Sequence, residues 1–342
     1  MKAVPGPGPG ASVAVVIPVR ADGPEWRECL RSLARLDPVP DQVIVVDDGG
    51  SGSGVLSALA QVAPELSCLK LGTSGGCGPA AARNLGAAAA TTELLLFLDA
   101  DIAMPSDLVQ QVRMAMTGPG APAALFGSYD AGPAPGGWVS DYRNLLHHYT
   151  HQRGRREAFT FWAGCGAIRR SVFAALGGFD PRFRRASIED IELGYRLKRA
   201  GHAVHLRREL QVRHLKRWSF RSMAYTDIQR RARPWTRLAL ERGSGAADLN
   251  LRWSERFSLV LLAGAMAAGA AAPFQPRLAW WGASLLGALT ATHFGFYRFL
   301  ARCRGPLFAA AAVPLHWFYF LCGLIGATLG AADWVLRRQL LS

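Results

Sequence analysis

Residues 94–98, Leu-Leu-Leu-Phe-Leu, form an unbroken apolar run that stops on Asp99-Ala100-Asp101. A strand without polar alternation is covered on both faces, as in a sheet packed between helices. That feature restricts the chain to α/β architectures, whose ligands gather at the carboxyl ends of strands. Two carboxylates one residue apart at such an end can share a hard divalent cation that also grips phosphate oxygens. Capping the next helix is the competing use, but Pro105, Ser106 and Asp107 already supply that start.

The flanking segments repeat the pattern. Residues 12–19 are β-branched and read as a first strand. Residues 24–36 carry Trp26, Leu30, Leu33 and Leu36 at helical spacing, and Pro38 and Pro40 end that helix. Strands are expected at 42–46 and 67–71, and helices at 55–62 and from Pro79 to about Ala90. This alternation predicts βαβ units and a mostly parallel sheet. Residues 138–186 show a mixed pattern; 187–200 are helical, with Gly201 as the stop.

With 342 residues, half of them apolar, the chain exceeds one α/β domain. Residues 257–274, 278–300 and 307–335 are nearly charge-free, and each reaches the roughly 17–25 residues that cross a bilayer. The net charge of +14 is uneven: 11 Lys/Arg against 4 Asp/Glu fall in residues 211–256, just before the first of these stretches. That placement suits anionic head groups and the positive-inside rule rather than nucleic acid, which calls for basic charge across a folded domain. The expected organisation is a flexible leader (1–11), a catalytic domain (12–218), basic amphipathic interfacial helices (219–256) and about three transmembrane helices (257–335). The leader has no apolar core of a secretory signal, so the catalytic domain is expected in the cytosol, on a multi-pass inner (cytoplasmic) membrane protein. Three crossings then leave Arg337 and Arg338 on the outer side, against the charge rule. Six scattered cysteines without Cys-x-x-Cys spacing indicate reduced thiols and no structural zinc.

Four further segments carry chemistry. Asp47-Asp48-Gly49 closes the second strand, so two acidic strand ends share one sheet edge and frame a nucleotide pocket; alone, the triplet is also a common turn. Gly75-Gly76-Cys77-Gly78-Pro79 lacks the Gly-Lys-Ser/Thr of a P-loop, yet the following helix start attracts anions and Arg83 lies one turn in. Ser187-Ile188-Glu189-Asp190 reads as a capping box, and a carboxylate held at a helix N-terminus also suits a general base. His214-Leu215-Lys216-Arg217-Trp218 is either a membrane-interface patch or a pyrophosphate contact with a sugar platform, with His214 available as a third metal ligand.

In order, Val45-Val46-Asp47-Asp48-Gly49, Ala82-Arg83-Asn84-Leu85-Gly86, Phe97-Leu98-Asp99-Ala100-Asp101, Gly177-Gly178-Phe179-Asp180, Glu189-Asp190 and His214-x-x-Arg217-Trp218 resemble membrane-anchored family-2 glycosyltransferases. The resemblance covers about residues 12–220. It implies an α/β GT-A domain, Rossmann-like with a mostly parallel sheet, followed by C-terminal transmembrane helices. It further implies that Asp47, Asp48, Arg83 and Asp99 serve the nucleotide, Asp48 at the base. Asp99 and Asp101 become the Asp-x-Asp metal pair, holding a diphosphate through Mg²⁺ or Mn²⁺. Asp190 becomes the catalytic base of an inverting displacement. Glu189, Arg217, Trp218, Trp162 and Cys165 fall to the acceptor and diphosphate side. His214 replaces the Gln of the synthases' Gln-x-x-Arg-Trp element, and Ala103 replaces a Gln ligand of some lipid-phosphate mannosyltransferases.

The expected activity is metal-dependent transfer of a sugar from a UDP-, GDP- or TDP-sugar to a lipid or lipid-linked acceptor at the cytosolic membrane face. The rivals are a processive polysaccharide synthase, a nucleotidyltransferase and a non-catalytic nucleotide-binding membrane protein.

Overall fold

The structure is a computed structural model and describes residues 10–50, 53–133, 135–242 and 252–339. Most of the leader and residues 243–251 of the expected interfacial segment lie outside the described residues.

Two compact units emerge: Met1–Pro135 with His151–Arg217, and Gly136–Thr150 with Trp218–Ser342. The first contains β1 (Val13–Val19), α1 (Pro24–Leu33), β2 (Gln42–Asp47), α2 (Val55–Val62), β3 (Leu69–Gly72), α3 (Pro79–Ala89), β4 (Leu94–Leu98), β5 (Ile102–Ala103), α4 (Leu108–Met116) and β6 (Ala124–Tyr129). After α5 (Trp138–Gln152), which runs mostly in the second unit, it continues with β7 (Cys165–Arg169), α6 (Arg170–Ala175), α7 (Glu189–Arg199) and β8 (Val204–His214).

The eight strands form one sheet in the order β3-β2-β1-β4-β7-β6-β8-β5. The unbroken apolar run of β4 is buried along its whole length, as its composition requires, and pairs with β1 in parallel. The expected parallel order holds for β3, β2, β1 and β4. Beyond β4 antiparallel pairs enter: β7 runs against both β4 and β6, and β5 against β8, while β6 and β8 are parallel, so the sheet stays mostly parallel, as expected. The five residues of β7 are too short to stand out from the mixed 138–186 stretch. Their antiparallel pairing (Leu98 opposite Cys165) sets the segment before β7 beside the carboxyl end of β4. Val15, Ile17, Val45, Leu96, Leu98 and Leu125 form the centre of the core on one face of the sheet.

The second unit is helical: α5, α8 (Phe220–Tyr225), a π-helix (Thr226–Ala232), α9 (Arg233–Arg242), α10 (Trp253–Ala271), α11 (Arg277–Thr292), α12 (Phe294–Arg304) and α13 (Pro306–Gln339). Arg143 and Asp227 form a buried two-pronged ion pair, and the Arg143 guanidinium lies between the rings of Trp218 and Tyr319 at 5.4 and 5.5 Å. Gly330 of α13 passes so close to α9 that a Cβ there would stand 2.3 Å from the Arg233 carbonyl oxygen. Only a glycine fits that crossing.

Three spans were expected; among the described residues one helix, over Pro306–Leu336, is long and apolar enough to cross a membrane. The stretch at 278–300 is not continuous, because the backbone leaves the helix at His293, which bonds Ser258 through Nε2 and separates α11 from α12. The stretch at 257–274 belongs to α10, whose first turn brings Glu255 and Arg256 into the helix. Charge-free length in the sequence therefore does not translate into three unbroken apolar helices.

Candidate active site

Asp99 and Asp101 leave the carboxyl end of β4 half-buried. The Asp99 backbone N–H donates to the Gly164 carbonyl, so the turn carrying both acids is tied to the segment entering β7. Its carboxylate receives Arg83 Nη2 at 2.6 Å through Oδ1. Asp101 faces His214, with Oδ2 and Nε2 3.7 Å apart. Backbone register enforces that approach: Ile102 pairs with His214 between β5 and β8, and the Leu215 N–H donates to the Asp101 carbonyl. Burial alone would raise the Asp101 carboxyl, but His214 and Lys216 outweigh it and hold it below the usual carboxylate range.

Tyr129, which no sequence pattern singled out, fixes the imidazole. Its ring stacks on His214 at 4.2 Å with planes 10° apart, and meets the Trp162 ring edge-on at 4.8 Å. A tyrosine ending a strand with no visible period gives no signal of its own. Its role follows from β6 and β8 lying side by side.

The first turn of α7 supplies the other acids. Ser187 does not take the expected N-cap position: the helix begins at Glu189, and the cap residue Ile188 makes no side-chain cap bond. The Glu189 carboxylate instead accepts the Ser187 N–H at 2.7 Å and Arg83 Nη1 at 3.1 Å. It is buried, which removes it from the acceptor side expected for it. Asp190 accepts the Ala163 N–H at 3.3 Å and the Ile191 N–H at 2.8 Å. Burial pushes its carboxyl up to about 7, the Glu189 charge adds to this, and Arg83 opposes it. Helix α7 comes this close because Gly194 lets it rest on the backbone; a Cβ there would lie 2.4 Å from Phe161 N.

Arg83 joins the two groups. It is 5% exposed and bridges Asp99 and Glu189, with its guanidinium 5.5 Å from the centre of the Phe179 ring. Burial works against its charge, but Asp99, Glu189 and Asp190 more than compensate, so it stays protonated. Asn84, next in sequence, clamps Phe179 by two hydrogen bonds of 2.7 and 2.8 Å to its carbonyl and N–H.

The Asp47-Asp48 pair works on the loops. Asp47 accepts the Gly49 N–H and the Ser53 hydroxyl. Asp48 is 5% exposed and accepts the Thr73 hydroxyl at 2.6 Å and the Cys77 and Gly78 N–H groups at 3.0 and 2.9 Å. Both its oxygens thus hold the glycine-rich loop, where a contact to the nucleotide base was expected.

Other expected residues lie elsewhere. Cys165 is fully buried in the core, its thiol pushed up to about 12 by burial, and it does not line a sugar site. Trp162 is half-buried over Gly164. Arg217 is exposed at the end of the first unit. Trp218 belongs to the helical unit, where its indole packs on Arg143; that contact competes with a role as a sugar platform.

Two carboxylates with an imidazole make an oxygen-rich donor set with one nitrogen, suited to Mg²⁺ or Mn²⁺ completed by phosphate oxygens. Among the described residues no three His, Cys, Asp or Glu side chains stand close enough to hold an ion by themselves. The pair Asp101–His214 fits a site that a diphosphate completes.

Residues 14–177 match the family model described as Glycosyl transferase family 2. Over 262 residues, 74% of the chain, the sequence is 29% identical to a pre-mycofactocin glycosyltransferase of Mycobacterium tuberculosis, of which it covers 50%. It is also 29% identical to a validoxylamine A glucosyltransferase of Streptomyces hygroscopicus subsp. limoneus, over 59% of this chain and 52% of that protein. The chain spans about half the length of the curated relatives it matches. Its fold is similar to a mannosyltransferase from Pyrobaculum calidifontis solved with GDP-Man and Mn²⁺, at a TM-score of 0.59 and 18% identity, covering 90% of this chain and 89% of that one. Residues 14–177 thus match glycosyltransferase family 2, and the chain carries them on a GT-A-like fold.

Proposed function

We propose that the chain moves a sugar, with inversion, from a UDP-, GDP- or TDP-sugar to a lipid or lipid-linked acceptor at the cytosolic face of the inner membrane. One observation carries this reading: Arg83 ties the acidic end of β4 to the turn that presents Asp190. Donor-side and acceptor-side groups thus share one edge of the sheet, where α/β folds place their ligands.

Asp190 takes the proton of an acceptor hydroxyl while that oxygen attacks the anomeric carbon. The carbon–oxygen bond to the diphosphate breaks, and the nucleoside diphosphate departs with the electron pair. Should the acceptor be an ionised phosphate monoester, Asp190 only orients it. Asp99, Asp101 and His214 would hold a Mg²⁺ or Mn²⁺ ion, which offsets charge on the departing diphosphate. Three features support membrane attachment. They are the apolar Pro306–Leu336 helix, the exposed Phe257, Val260, Trp280 and Trp281, and the basic segment before α10.

The test is donor turnover by the full chain in lipid, with and without Mn²⁺, against UDP-, GDP- and TDP-sugars. GDP-mannose comes first, since the fold neighbour was solved with GDP-Man and Mn²⁺. The expected result is transfer to a polyprenyl phosphate or glycolipid, abolished by Asp101→Ala and by Asp190→Asn. Full transfer by the Asp190→Asn chain would remove that residue from the mechanism. Release of the chain from membranes by alkaline carbonate would remove the membrane assignment.

A further inference from the structure

Where α3, β4 and α7 converge, one guanidinium meets three carboxylates. Arg83 donates to Asp99 at 2.6 Å and to Glu189 at 3.1 Å, while its buried Nε–H has no hydrogen-bond partner. Glu189 is 4% exposed, and its second oxygen is held by the Ser187 N–H, so it cannot turn to meet a ligand. A buried acid with both oxygens engaged, next in sequence to the group that accepts the proton, is expensive to keep unless its charge is used.

We propose that Arg83 and Glu189 are positioning residues for Asp190: Arg83 fastens the first turn of α7 to the end of β4, and the fixed Glu189 charge makes Asp190 a stronger proton acceptor. The proposal rests on the reading of Asp190 as the base.

Charges reach Asp190 from two sides. From its own helix it faces Glu189. From α3 it faces Arg83, with Asp99 of β4 beyond. The segment before β7 contributes the Ala163 N–H and no charge. A neighbouring anion disfavours a second ionisation and raises proton affinity; a neighbouring cation does the reverse. The two positioning residues thus pull Asp190 in opposite directions. Replacing them moves its protonation in opposite directions too, which a merely structural role does not do.

The measurement is thermal unfolding of the full chain from about pH 4 to about pH 9, comparing each background with its Asp190→Asn counterpart. Because Asp190 holds its proton more tightly folded than unfolded, its contribution to stability is complete below the ordinary carboxyl value of 3.8. It falls as pH rises and levels off above about 7. The level-off point reports Asp190 alone. We expect it to fall by about one pH unit in Glu189→Gln, which keeps the side-chain shape, and to rise in Arg83→Met. Should Arg83→Met fail to fold, the Glu189→Gln pair decides alone. An unmoved level-off point in Glu189→Gln, with Asp190→Asn inactive in donor turnover, overturns this proposal and leaves the base assignment standing. Wild-type turnover by Asp190→Asn overturns the base assignment and this proposal with it.

Discussion

Asp101 Oδ2 and His214 Nε2 face each other at 3.7 Å, brought together by the short antiparallel pairing of β5 with the end of β8. One residue follows the central strand and the other closes the last long strand, so neither position alone marks a site. His214→Ala should raise the Mn²⁺ concentration needed for half-maximal turnover by about 10–100-fold, since each tenfold is roughly 1.4 kcal/mol of lost ligation. Chelation should stop turnover of the wild-type chain, and added Mn²⁺ should restore it. Metal titrations of turnover check both, and an unchanged Mn²⁺ requirement in His214→Ala would remove the imidazole from the site.

The pH dependence of turnover follows from Asp190. Burial, with the Glu189 charge, pushes its carboxyl up to about 7 against the opposing pull of Arg83. A base must be ionised to accept a proton, so kcat/KM should fall about tenfold per pH unit below that value and flatten above it. A profile of the free enzyme from acid to alkaline pH tests this. A flat profile through neutrality would exclude Asp190 as the group titrating.

Asp48→Ala should loosen the loop from Thr73 to Gly78, whose hydroxyl and two N–H groups close on that carboxylate. Hydrogen bonds to a charged group are worth about 1.5–3 kcal/mol each. The expected outcome is a donor KM raised about tenfold or more, with kcat changed less. If Asp48 reads the nucleotide base, Asp48→Ala should instead erase discrimination between UDP- and GDP-sugars. Steady-state kinetics on both donors separate the two.

Gly194→Ala tests how α7 is placed. Alanine gains about 1 kcal/mol in helix propensity over glycine, yet its Cβ would stand 2.4 Å from Phe161 N. Forced displacement of this kind costs about 1–3 kcal/mol and shifts Asp190 relative to β4. Turnover should fall about 10–100-fold with the melting temperature lowered only slightly. Unchanged kinetics would mean that α7 has room to move without consequence for the site.

How much of this was legible in advance depends on range. The unbroken apolar run before Asp99 announced a central strand, and β1, β2, α2 and β4 lie within a residue of where local pattern put them. The acids at strand ends were visible for the same reason. By contrast, β7 and β8 were missed, because β7 is short and the alternation in β8 is interrupted by Arg207, Arg208 and Glu209. The continuity of the apolar stretches was not legible, because apolar composition says nothing of where a helix breaks, and the break at His293 is held by a bond to Ser258 on another helix.

Period and composition along the chain determined that this protein has a layered sheet, acidic strand ends and an apolar, basic-flanked tail, since each of those is a property of neighbouring residues. Packing alone decided that Arg83 binds Glu189 as well as Asp99, that Tyr129 steadies His214, that Cys165 is core and that Asp48 holds a loop. Those relations join residues distant in sequence. Their energies come from burial and from charges brought together only when the sheet closes, and no local pattern records them.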